Sequence, residues 1–134
     1  KYGIDTTTNF DLKEIAKDLG IKIKVLMRNE FLEPKNPAIN KSKSLVINLN
    51  SSENKGSHWV CLYKNKYYFD PYGVLPIDAV QNLENLLYNT LQIQPDGTKM
   101  CGQLCLYVLD NLEKGEEFED LILSMYEEIQ DFLL

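Results

Sequence analysis

The sequence predicts an α+β fold, a small mixed β-sheet flanked by helices, on three observations. Apolar residues recur at helical spacing near the start of the chain and through its last third, while short β-forming runs gather between Ile21 and Phe69. Nothing repeats and nothing is of low complexity. The 134 residues are expected to form one domain, 1–134, large enough for a single core and too short for two.

Residues 1 to 10 read as an irregular lead-in. Leu12, Ile15, Ala16 and Leu19 then predict an amphipathic helix over 11–19, with Asn9 as its N-cap and Gly20 as its stop. Ile21, Ile23 and Val25 alternate with Lys22 and Lys24, the pattern of a strand with one face on the core. A single helical turn is expected over 28–32, and the Pro-, Asn- and Ser-containing run from Pro34 to Ser44 reads as a surface loop. Leu45 to Leu49 is short and strongly apolar, as a central strand should be. A polar turn from Ser51 to Gly56 precedes Gly56-Ser57-His58-Trp59.

Trp59 to Lys64 and Tyr67 to Phe69 are rich in β-formers and predict a hairpin that ends at Asp70-Pro71-Tyr72-Gly73. His58 stands near its start and Asp70 at its end. A strict two-residue turn at Asn65-Lys66 would place these two side chains on opposite faces. For them to meet, the loop must have an odd count, or one strand must bulge, or His58 must lie just outside the ladder. Pro76 to Leu91 has Ile77, Val80, Leu83, Leu86, Leu87 and Leu91 at helical spacing and predicts a helix with Pro76 in its first turn. Leu91 to Gln94 is then a short extended link. Leu104, Cys105, Val108, Leu109 and Leu112 predict a helix from Cys101 to about Lys114, stopped by Gly115. One or two further helices are expected over 116–134, under an acidic face.

The balance of 14 basic against 20 acidic residues, net −6, without a dense basic stripe, argues against nucleic acid as the main partner. No apolar run approaches a membrane span. The chain begins at Lys1 with no signal-like segment, so an excised domain is expected rather than a natural start. Three cysteines, Cys61, Cys101 and Cys105, make an odd number without framework spacing, which points to thiols in a reducing compartment. A zinc site built on Cys101, Cys105 and His58 is a poor fit, because His58 is the sole histidine and no Cys-x-x-Cys is present. No metal or cofactor is expected.

The turn Pro95-Asp96-Gly97 leads directly to Cys101-Gly102 at a helix start. Unpaired amides there favour a thiolate, so a lowered thiol pKa is expected and Cys101 becomes a candidate nucleophile. A cysteine hydrolase also needs an imidazole base and acid, a group to orient it, and donors for the oxyanion. His58, Asp70 and the side-chain amide of Gln94 are the candidates, together with the Cys101 backbone amide. Asn48, Asn50 and Asp96 are alternatives to Asp70, and Gln92 is an alternative to Gln94. Asp70 before Pro71 could equally start a turn. Cys61 and Cys105 read as core packing, and Tyr63, Tyr67, Tyr68 and Tyr72 as sheet and rim residues.

His58-Trp59, Tyr-Phe-Asp-Pro-Tyr-Gly ending at Gly73, Gln94 and Cys101-Gly102 followed by Leu104-Cys105 resemble the signature of the adenain-like cysteine proteases, a clan shared with SUMO proteases. With the Ile47-Asn48-Leu49 strand, the pattern is similar to proteases of large DNA viruses, virophages and Maverick-type elements. The resemblance implies a papain-like active site reached in the permuted order His, Asp, Gln, Cys. It implies a catalytic triad of His58, Asp70 and Cys101, with Gln94 as oxyanion donor and Trp59 and Gly102 beside the substrate. The implied activity is an endopeptidase that cleaves precursor structural proteins at Gly-containing sites during virion maturation. The implied setting is the host cytoplasm or nucleus, or the virion, with a polypeptide substrate and a monomeric enzyme. The DNA and peptide activators of the adenovirus enzyme are not carried over, because this chain is shorter and acidic. An isopeptidase for ubiquitin-like modifiers, a catalytically silent binding domain of the same fold and an acetyltransferase using the same thiol are the competing readings.

Overall fold

A computed structural model describes residues 9–27, 43–49, 58–81, 83, 85–95 and 100–133. The turns and loops expected at 28–32, 34–42 and 51–56, the lead-in 1–8, and the alternatives Asn50 and Asp96 lie outside the described residues. The described elements are α1 (Asn9–Leu19), β1 (Lys24–Met27), β2 (Ser44–Asn48), β3 (Trp59–Tyr63), β4 (Tyr67–Phe69), the single turn α2 (Asp78–Gln81), β5 (Leu87–Tyr88), α3 (Cys101–Glu113) and α4 (Phe118–Leu133). Helix α1 includes Asn9, the residue expected to cap it, so it starts earlier than the periodicity predicts.

The strands lie in the order β1-β2-β3-β4-β5. β1 runs parallel to β2 and β5 parallel to β4, whereas β2–β3 and β3–β4 are antiparallel, so the sheet is mixed. β2 and β3 are buried along their whole length. That is why Leu45 to Leu49 reads as a continuous apolar run rather than an alternation. On one face Val46, Trp59, Cys61, Tyr63 and Phe69 pack with Leu12, Leu106, Leu109, Phe118 and Ile122 of the long helices. On the other, Leu45, Ile47, Val60, Leu62 and Tyr68 meet Val80, with Ile77, Leu83 and Leu86 against them. Ile21, Ile23 and Val25 do point to the helical face, but only the last of them lies within β1.

Helices α1 and α3 end where glycine allows the left-handed turn that frees the last carbonyls for capping. Gly20 has φ +78° and Gly115 φ +93°. In both, the next amide reaches back to a carbonyl five residues earlier, Ile21 to Ala16 and Glu116 to Asn111.

The helix expected over 76–91 does not form. It is a single turn at Asp78–Gln81, then a bend, and then strand β5. The apolar spacing is real, since Ile77, Val80, Leu83 and Leu86 all serve the same core. Leu87 and Leu91, however, are exposed. Asn85 adopts a left-handed backbone, φ 59°, which interrupts helical winding. Beyond it, the edge of β4 supplies hydrogen-bond partners that a helix would forgo, beginning with the Leu87 amide on the Lys66 carbonyl at 2.7 Å. Non-local pairing outweighs local periodicity here.

Candidate functional site

The hairpin settles how His58 and Asp70 share a face. Tyr63 pairs with Tyr67, Leu62 with Tyr68 and Cys61 with Phe69, which leaves Lys64, Asn65 and Lys66 as a three-residue loop. Lys64 and Asn65 take positive φ values of 53° and 55°, and the Lys66 amide donates to the Tyr63 carbonyl at 3.0 Å. Continuing this register past the ladder puts His58 opposite Tyr72 and makes Asp70 its diagonal neighbour on the same face. The odd loop count is the first of the three solutions set out from the sequence. His58 also lies one residue outside β3, held by its carbonyl accepting from the Leu49 amide at 2.9 Å.

His58 Nε2 stands 3.1 Å from Asp70 Oδ1. Asp70 is 1% exposed, and His58 is one-quarter exposed, so a buried carboxylate meets a half-open imidazole. The same Oδ1 accepts the Tyr72 main-chain N–H at 2.8 Å, and the Asp70 carbonyl accepts from Gly73 N–H at 2.9 Å. Asp70 therefore both starts the Asp70–Gly73 turn and holds the imidazole. Of its alternatives, Asn48 lies opposite Trp59 in the β2–β3 ladder.

Cys101 is the first residue of α3 and is buried. Its Sγ accepts the Trp59 main-chain N–H at 3.4 Å. The reason lies in the ladder. Leu49 and His58 are bonded to each other, so the Trp59 backbone groups point to the other side of β3, where β4 has ended and Pro71 has no N–H to give. Two thiols take their place: Cys101 Sγ at the Trp59 N–H, and Cys105 Sγ donating to the Trp59 carbonyl at 3.4 Å. Because Trp59 follows His58 directly, the Cys101 sulfur is at most roughly 6 Å from the His58 Cα. Trp59 enters this site through its main chain, since its ring is buried in the helical core.

The thiol pKa departs from the sequence expectation. Burial is the largest influence and pushes Cys101 up, and the nearby Asp70 charge pushes the same way. Main-chain amides of Trp59, Gly102 and Cys101 itself pull it down, as a helix start should, but desolvation outweighs them. Cys61 and Cys105 are buried thiols packed on each other, with Cys61 Sγ donating to the Cys105 carbonyl at 3.7 Å, and no disulfide joins the three cysteines.

Gln94 is fully buried, while Gln92 is exposed and donates to the Gln94 carbonyl at 2.9 Å. The Ile93 and Gln94 amides both donate to the Pro71 carbonyl, at 2.9 and 2.8 Å, which brings the stretch after β5 alongside the Asp70 corner. Gln94 Nε2 donates to the Tyr72 hydroxyl at 3.1 Å. Two further residues complete the corner, Asn89, which no sequence motif marks, and Tyr72, which the sequence marks only as a sheet or rim residue. Asn89 is buried and clasps the Asp70 backbone: its Oδ1 accepts Asp70 N–H at 2.9 Å, and its Nδ2 donates to the Asp70 and Leu91 carbonyls at 2.7 and 3.1 Å. Tyr72 sets its ring against His58, with centroids 5.3 Å apart and planes at 85°. Asn89 falls in the stretch whose spacing predicts a helix, and a helix there would not face Asp70, so the sequence does not point to its partner. The nearness of Tyr72 to Asp70 in sequence was the available signal for its role.

Among the described residues no group of three His, Cys, Asp or Glu side chains is arranged to hold a metal ion, and no helix is long and apolar enough to cross a membrane. Comparison of the chain with models of known protein families and with curated proteins gave no match.

Proposed function

We propose that the chain is a cysteine endopeptidase of the adenain-like type, with a papain-like site in permuted order, that matures structural precursor proteins at Gly-containing sites. The observation that carries this reading is the His58–Asp70 pair, closed at 3.1 Å by the odd-numbered hairpin, beside a helix-start cysteine held at the very next amide. The Cys101 sulfur sits on the amide of the residue after His58, and the buried Gln94 amide is tied to the same corner through Tyr72.

With Nε2 given to Asp70, Nδ1 is the His58 nitrogen left to take the sulfur's proton. Burial keeps Cys101 protonated at rest, so its proton passes to His58 as a substrate carbonyl arrives. The sulfur electron pair forms the S–C bond, and the oxyanion is met by the Cys101 main-chain amide and the Gln94 side chain. His58 returns the proton to the amine as the C–N bond breaks. Water then attacks the thioester, giving its proton to His58, and the acid product leaves as the thiol is restored.

Cleavage profiling on a peptide library tests this directly. Wild-type protein is expected to cut next to glycine, and Cys101→Ala is expected to cut nothing. Equal processing by the two proteins would sink the enzyme reading, while covalent capture of Cys101 by a ubiquitin-like modifier probe would select the isopeptidase.

A further inference from the structure

Contacts of Tyr72 join the two halves of the site. Its main-chain N–H donates to Asp70 Oδ1 at 2.8 Å, its ring stands at right angles to the His58 imidazole, and its hydroxyl accepts from Gln94 Nε2 at 3.1 Å. The Gln94 backbone is pinned by the Pro71 carbonyl, but three rotatable bonds separate that backbone from the carboxamide. An oxyanion donor must lie about 2.7–3.1 Å from where the charge develops, so a loosely held glutamine would be a poor one. A carboxamide nitrogen carries two hydrogens. The Tyr72 hydroxyl occupies one.

We propose that Tyr72 is the positioning residue that sets the Gln94 amide relative to the His58–Asp70 pair, holding the carboxamide nitrogen in one place beside them. This rests on the reading of Cys101, His58, Asp70 and Gln94 as a catalytic set. Tyr72 acts through Gln94 and bonds the amide that would meet the oxyanion. Its backbone bond and ring contact make the distance between imidazole and oxyanion donor a property of one residue, rather than of two separately folded segments.

Tyr72→Phe isolates the hydroxyl, since the ring and main-chain N–H remain. The expected result is a roughly three- to tenfold fall in kcat with KM within about twofold, the range of one neutral hydrogen bond. In a Gln94→Ala background the same change should alter kcat by less than about 1.5-fold, because the group it positions is gone. Effects that multiply across the two sites, or a loss confined to KM, would overturn the proposal. A second measurement does not depend on turnover. In ¹⁵N-labelled protein, the Gln94 side-chain amide resonances should shift and gain mobility in Tyr72→Phe while the thermal midpoint stays close to wild type; unchanged resonances would overturn the proposal. If wild-type protein cleaves no peptide, the protease reading fails, and the Gln94 resonances still decide whether Tyr72 holds that amide.

Discussion

One oxygen of Asp70 carries two duties. Oδ1 accepts the Tyr72 amide, which shapes the turn, and faces His58 Nε2, which the chemistry would use. A turn reading and a catalytic reading of an Asp-Pro pair therefore do not exclude each other, because an Asx-turn leaves a carboxylate with lone pairs to spare. Asn89 supports this oxygen indirectly by fixing the main chain that bears it. Asn89→Ala would leave the Asp70 N–H buried without its partner and the Asp70 carbonyl with the Gly73 N–H alone, at a cost of about 2 kcal/mol. Urea denaturation should show that loss, and kcat should fall with it as the imidazole loses its fixed partner. The Asp70–His58 relation was legible in residue types and spacing. Asn89 was not, because a buried amide declares its role only when the distant backbone it bonds is in place.

At the level of elements, the hairpin was legible and its parity was not. Alternating β-formers locate β3 and β4, but the choice between a two- and a three-residue loop is set by which residues of the two strands pair, and packing on both sheet faces fixes that register. Strand β5 lies in a stretch whose local spacing predicts a helix, for a related reason: Leu87 and Tyr88 are held by pairing to β4, which no local window contains. The helix beginning at Cys101 was legible at both ends, since Gly115 follows it and the turn-forming sequence Pro95-Asp96-Gly97 precedes it. Gly73 gives this scale its test. It has φ +70°, and a Cβ there would lie 2.7 Å from the Thr90 carbonyl oxygen and 2.9 Å from Leu91 main-chain atoms, which have little room to retreat. Gly20 and Gly115 also have positive φ, but a Cβ on either would meet nothing within 4 Å. Their alanine variants should lose about 1 kcal/mol each, the cost of left-handed backbone, and Gly73→Ala should lose more than twice as much. Denaturant midpoints of the three variants would show the difference; equal losses would mean that the corner yields.

For the molecule as a whole, the buried thiols and phenol fix how stability responds to alkali. Burial raises Tyr68 and pushes Cys105 well up, and it raises Cys101 as well. These groups ionise in the unfolded chain before they do in the folded one. Above the ordinary thiol pKa of about 8.5 the folded state therefore holds more protons than the unfolded state, and stability falls as pH rises; below it their contribution is complete. Thermal unfolding from pH 7 to 10.5 should show a falling midpoint, with a shallower alkaline decline in Cys105→Ala. The same scale shows what kind of information holds the site together. The Asp70 corner is fastened through the Pro71, Asp70 and Leu91 carbonyls and the Asp70, Ile93 and Gln94 amides, groups that nearly every amino acid supplies. Thr90, Leu91 and Gln92 are exposed, so descendants of this chain can drift at those positions while Gly73, Asn89 and the length of the connection stay fixed. Kinship among such proteins would then survive as spacing after it has faded as identity.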